Sequence, residues 1–271
     1  VGSAREEPRR SGFAHFFEHM MFQGSEHVGD DEHFRYVTEA GGTMNGTTNN
    51  DRTNYFQTVP SNQLETMLWL ESDRMGFLLD AVTQEKFEIQ RDTVKNERGQ
   101  NVDNSPYGRF NEVNSSALYP PDHPYSWPVI GYPEDLDAAT LDDLKNFFLR
   151  WYGPNNATLT IGGNVDETEV LNLVNKYFGE IPSGPAVLPD VQELVTLDSD
   201  RYVSYVDENI RFPALLFTFP TVPLDHPDKV ALEAMNEVIT GGRKSVFYKD
   251  FVLTNRAITA TGFDNSMELA G

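Results

Sequence analysis

The sequence predicts an α+β fold in which helices pack on layered mixed sheets. Two observations carry that expectation. Stretches with apolar residues at helical spacing are followed by short runs rich in β-branched and aromatic residues, and a proline- and glycine-punctuated stretch divides the 271 residues unequally. Pro182, Gly184, Pro185 and Pro189 mark the division, so domains are expected at 1–185 and 186–271.

The elements follow in order. Asp30 to Ala40 reads as a helix, with an aspartate start signal and Gly41-Gly42 as its stop. Ser61 to Leu79 carries Leu64, Met67, Leu68, Leu70, Met75 and Leu78 at helical spacing, and Thr83 to Asn101 follows as another helix. A loop rich in Pro, Gly and Tyr runs from Tyr119 to Pro133, and a further helix spans about Thr140 to Trp151. Ala157 to Gly163 reads as a strand; Asp166 with Glu169 as a capping box opens a helix leading to Phe178. Beyond the boundary, Tyr202 to Asp207, Leu215 to Phe219 and Ala257 to Phe263 read as strands and Asp228 to Thr240 as a helix. Met20, Met21, Phe147, Phe148 and Trp151 are expected in the core.

Composition narrows the function classes. With 21 Lys and Arg against 42 Asp and Glu, the formal net charge of −21 repels phosphate backbones and anionic membranes, so neither is an expected partner. Cysteine is absent, which excludes disulfides and thiolate metal sites. The most apolar stretch, Ala214 to Phe219, stops at Pro220, so no membrane span is expected. The chain begins at Val1 without Met or a signal sequence and does not define the natural start.

Near the N-terminus stands His15-Phe16-Phe17-Glu18-His19. On a helix, positions i and i+4 stack on one face, so both imidazoles can reach one ion. Zinc accepts such neutral nitrogens, and in catalytic sites it keeps a coordination position open. Glu18 falls beside the ion rather than on it, where a carboxylate can take a proton from water that the ion has acidified. With 6 His and 21 Glu in the chain, chance supplies roughly 0.01 such arrays. The pattern points to a zinc hydrolase and is the inverted form of the commoner His-Glu-x-x-His signature. His27, His33, His123 and His226 stand outside any ligand spacing and are expected as surface or turn residues.

The flanks add a resemblance. Ser11 to Ser25 closely resembles the active-site helix of the pitrilysin or insulinase-type metallopeptidases, the inverzincins. In that family the third zinc ligand is a glutamate on a later helix; Val94-Lys95-Asn96-Glu97-Arg98 matches that second motif, so the resemblance implies Zn²⁺ held by His15, His19 and Glu97, with Glu18 as the base. Thr43 to Phe56 matches the family's edge-strand segment, to which an extended substrate adds; Asn45, Gly46 and Thr48 would lie along the bound peptide. Where the family commonly has a second acidic residue, this chain has Gln90, on the same side of the helix as Glu97, where it would support the ligands through hydrogen bonds.

The resemblance implies a pitrilysin-like peptidase domain followed by an incomplete second related domain, with Gly271 reading as a truncation. It implies a zinc endopeptidase acting on unfolded peptides or small proteins, with a second half or partner subunit completing the site. The stretch Phe16 to Ser25 is similar to bacterial envelope members, which implies a periplasmic location. Two alternatives stand beside it: a noncatalytic or partner-dependent subunit of the same fold, and a module with a structural zinc. The second would need four protein ligands, and the sequence offers three plus a base.

Overall fold

The computed structural model describes all 271 residues, which divide into two compact units. One comprises Val1–Leu188 with Ser204–Pro213, the other Pro189–Val203 with Ala214–Gly271.

The first unit is built around a short helix, α1 (Phe13–Met20). Phe13, Phe16, Phe17 and Met20 recur at helical spacing and are buried, which leaves His15, Glu18 and His19 together on the remaining face. The apolar side of α1 packs with Leu78, Phe87, Val94, Leu136, Leu144 and Phe148 into the main core. Phe16, Phe17 and Met20 are fully buried, and each such side chain is worth about 1.5–3 kcal/mol. Helix α2 (Glu32–Glu39) precedes an antiparallel hairpin, β1 (Thr43–Thr48) and β2 (Thr53–Thr58), in register Gly46↔Tyr55. Along β1 exposure alternates, with Thr43, Asn45 and Thr47 outward and Met44, Gly46 and Thr48 turned inward.

Helix α3 (Leu64–Ala81) and helix α4 (Gln84–Arg98) follow, the latter opened by Thr83, whose side chain accepts the Lys86 amide. Phe87 and Val94 bury one side of α4 against α1, and Arg98 anchors its C-terminal end through Glu112 at 2.7 Å and the Gly131 carbonyl at 3.0 Å. Helices α5 (Phe110–Leu118), α6 (Pro133–Ala138), α7 (Leu141–Trp151) and α8 (Glu167–Phe178) complete the unit. Thr140 and Asp143 form a reciprocal capping box on α7, and Asp166 caps α8 by accepting the Glu169 amide. In the second unit the regular helix is α9 (Lys229–Thr240), whose first residue pairs with Glu233 at 2.5 Å and Asp264 at 2.6 Å. No helix is long and apolar enough to cross a membrane.

The helices expected from apolar spacing are present, and the α+β class holds. Three local expectations change. The four runs expected as strands, Ala157 to Gly163, Tyr202 to Asp207, Leu215 to Phe219 and Ala257 to Phe263, form no sheet; the single sheet is the hairpin. A strand exists only through a ladder with a neighbouring backbone, and in these runs Leu215, Phe217, Phe219 and Phe263 point largely into solvent. Helices α5 and α6 arise where none was expected: α5 is rich in Asn and Ser, and α6 is six residues opened by Pro133. His33 is buried on α2 rather than at the surface. Met20, Met21 and Phe148 are in the core as expected.

Candidate metal centre

The centre is assembled by three elements. Helix α1 presents His15 and His19 one turn apart, their rings edge to face with centroids 4.8 Å apart. Helix α4 brings Glu97 across from them: its Oε2 lies 3.3 Å from His19 Nε2 and 3.6 Å from His15 Nε2. The three donor atoms all fall within 4.8 Å of one another, although 78 residues separate His19 from Glu97 in sequence. Glu18 is outside this cluster and turns toward β1 instead.

His15 fits a cation better than it fits its protein surroundings. Its Nδ1 is buried and has no hydrogen-bond partner, and its Nε2 is 3.6 Å from the nearest carboxylate oxygen, beyond hydrogen-bond reach. Burial, helped by His19, lowers its pKa to about 4. The ring is therefore neutral at pH 7, with a lone pair free to coordinate. Glu97 is held below the usual carboxylate range, chiefly by the hydrogen bond from His19. Two neutral imidazoles and one carboxylate would leave a divalent ion with a net charge of +1, a donor set that suits zinc.

Glu18 is set by the hairpin. The Thr48 hydroxyl donates to its Oε2 at 2.5 Å, and a Cβ on Gly46 would lie 2.8 Å from its Oε1. The inward face of β1 therefore meets this carboxylate directly. Burial raises the Glu18 pKa, opposed by the Thr48 bond and by His19, so the carboxylate is a stronger base than one in water. The half-buried Tyr55 and Tyr152 hydroxyls lie 3.2 Å apart. Arg74, which is buried, sits over the Tyr55 ring at 4.4 Å and pairs with Glu71 at 2.6 Å.

The sequence-derived residues are thus partly reunited. His15, His19 and Glu97 converge; Gly46 and Thr48 contact Glu18. Asn45 points outward on β1, and its Oδ1 accepts the Gly46 amide at 2.9 Å. Gln90 is buried on α4, but no hydrogen bond joins it to His15, His19 or Glu97. Tyr55, Tyr152 and Arg74 were not foreseen; for Arg74 the i, i+3 spacing from Glu71 was the one available signal.

Residues 1–120 match the profile of the insulinase family, peptidase family M16, and residues 138–267 match the M16 inactive domain. The chain belongs to the pitrilysin and insulinase-type M16 family. Its relatives include the zinc protease PqqE of Helicobacter pylori, 29% identical over 99% of this chain and 60% of that protein. A crystal structure of a protease from Helicobacter pylori superposes with a TM-score of 0.85 at 25% identity, covering all of this chain and 66% of that one. The periplasmic protease PqqL of Escherichia coli shares the fold over 70% of this chain and 21% of that one, with a TM-score of 0.62 and 23% identity. The chain therefore spans under two thirds of the length of that zinc protease. All four residues of the His-x-x-Glu-His and Glu97 set lie in the part that matches the insulinase profile, not in the part that matches the inactive domain.

Proposed function

We propose that this chain carries the zinc site of an endopeptidase that hydrolyses unfolded peptides or small proteins. The observation that carries the reading is the convergence of His15, His19 and Glu97 within 4.8 Å, with Glu18 beside them and outside the cluster. Zinc held by those three residues would polarise the scissile carbonyl and acidify water. Glu18 takes the proton of the attacking water and returns it to the leaving amine. Thr48, by donating to Oε2, leaves Oε1 as the oxygen free for that transfer.

The substrate class rests on the hairpin. The sheet has two strands, so the side of β1 away from β2 carries no protein strand, and an extended peptide can add there through main-chain bonds that are nearly blind to sequence. A further half or a partner subunit completes the substrate site, and the periplasm is the proposed location. The direct test is anomalous scattering at the zinc edge together with turnover of an unstructured peptide before and after chelation. One zinc bound to side chains 15, 19 and 97, with turnover lost to chelator and restored by zinc, is the expected result. Zinc bound elsewhere sinks the reading. A zinc-loaded full-length protein without turnover would favour the noncatalytic subunit.

Gly46 gives a finer test. In Gly46→Ala the new methyl meets the Glu18 Oε1, Cγ and Cδ at 2.8–3.2 Å, so the carboxylate has to swing aside. Because the obstacle is a flexible side chain rather than backbone, thermal stability should change little. Zinc content should be unchanged while kcat falls up to about a hundredfold, the scale of a 1 Å misplacement. A kcat equal to wild type would show that Glu18 does not need this position.

A further inference from the structure

Helix α1 cannot cap itself. Its N-cap is Gly12, in the left-handed region at φ 88°, with no side chain to offer. Glycine is required there, because a Cβ would stand 2.8 Å from the Gly131 Cα and 2.9 Å from the Ile130 carbonyl oxygen. The usual Ser, Thr, Asp or Asn is thereby excluded, and the first amides of the helix are left without a local acceptor. Gly12, Phe13 and Ala14 are all buried, away from bulk solvent.

The acceptor comes from upstream. Glu6, itself only 8% exposed, reaches over the helix end, its Oε2 accepting the Gly12 amide at 3.0 Å and its Oε1 the Ala14 amide at 2.7 Å. Ala14 is the second helical residue, so Oε1 does the work normally done by an N-cap side chain. Burial, outweighing the two amide bonds, raises the Glu6 pKa to about 8, so the side chain acts as a paired hydrogen-bond acceptor rather than as a fixed charge on the helix dipole. Immediately before the helix, Asp135 fixes Ser11, accepting its hydroxyl at 2.5 Å and its amide at 3.1 Å. Asp135 holds the approach; Glu6 holds the helix itself.

The residue after Ala14 is His15. Helix α1 has eight residues, so its two-turn length gives little internal resistance to sliding or rotation, and any movement of its first turn shifts His15, Glu18 and His19 together against Glu97. We infer that Glu6 is a positioning residue, which by clamping the Gly12 and Ala14 amides fixes the setting of α1 in which His15 and His19 face Glu97. This inference rests on the metal reading above.

The test compares wild type with Glu6→Gln and Glu6→Ala in the full chain. Glu6→Gln keeps the shape and one acceptor but turns an amide donor against a backbone donor; Glu6→Ala removes both acceptors. Hydrogen exchange should accelerate about tenfold or more over residues 12–20, more for Ala than for Gln, with the α4 segment 84–98 unchanged. Zinc affinity, measured by competition with a chromophoric chelator, should weaken about tenfold, and the visible spectrum of the cobalt-substituted protein should shift. Unchanged exchange over 12–20, or an equal rise over 84–98, would overturn the clamp. Faster exchange with wild-type zinc affinity and cobalt spectrum would reduce Glu6 to a helix cap and overturn its positioning role. If wild type bound neither metal, the metal reading would fail and the positioning role with it, whereas the exchange data would still decide the clamp. Should the Ala variant not fold, the Gln variant decides the same outcomes.

Discussion

Glu18→Gln is expected to keep its zinc and lose between about a hundred- and ten-thousandfold in kcat, the range general acid–base catalysis supplies. The amide has the shape of the carboxylate, so it still accepts from Thr48 and still fits under Gly46. It lies outside the three-donor cluster, so zinc content should equal wild type. What it cannot do is hold a proton between water and the leaving amine. The measurement is kcat on an unstructured fluorogenic peptide alongside zinc content per chain. Wild-type turnover with full zinc would reject Glu18 as the base.

The parts of this site that sequence revealed are those whose geometry is local. His15, Glu18 and His19 share a face because they are three and four residues apart on a helix, and that follows from helical pitch alone. Glu97 has no such local signature. In Val94 to Arg98 nothing but likeness to a family motif separates it from other helix glutamates, and only the packing of Phe87 and Val94 against α1 brings it to the histidines. The contact of Gly46 and Thr48 with Glu18 was not legible, since it depends on which face of β1 turns inward, and alternation gives two choices without naming the neighbour. Glu6 escaped notice for a related reason: a capping residue is sought at the helix start, and here it lies six positions earlier because Gly131 crowds that start. The expected strands show the opposite error. Alternating apolar residues record a preference for extended chain, whereas a sheet needs a partner at the right distance, which a single segment cannot specify.

Replacing Glu97 should separate metal binding from folding. Glu97→Gln keeps the side chain's shape but removes the one anionic donor of the cluster, and Glu97→Ala removes the donor altogether. Neither should unfold the protein, because Glu97 is a third exposed and α4 is anchored by other residues: Phe87 and Val94 in the core and Arg98 on Glu112 and Gly131. The loss of stability should remain within about 1 kcal/mol, as for other partly exposed positions. Zinc affinity should fall more than about a hundredfold, beyond the tenfold to hundredfold cost of residues that only support ligands. Two neutral imidazoles remain in Glu97→Gln, so weak zinc binding with raised off-rate is expected there, and less in Glu97→Ala. Zinc affinity, measured by competition with a chromophoric chelator, is the deciding measurement. If Glu97→Ala bound zinc as tightly as wild type, the ion would be held by α1 and some other residue, and the packing of α4 on α1 would have to be explained by the core alone.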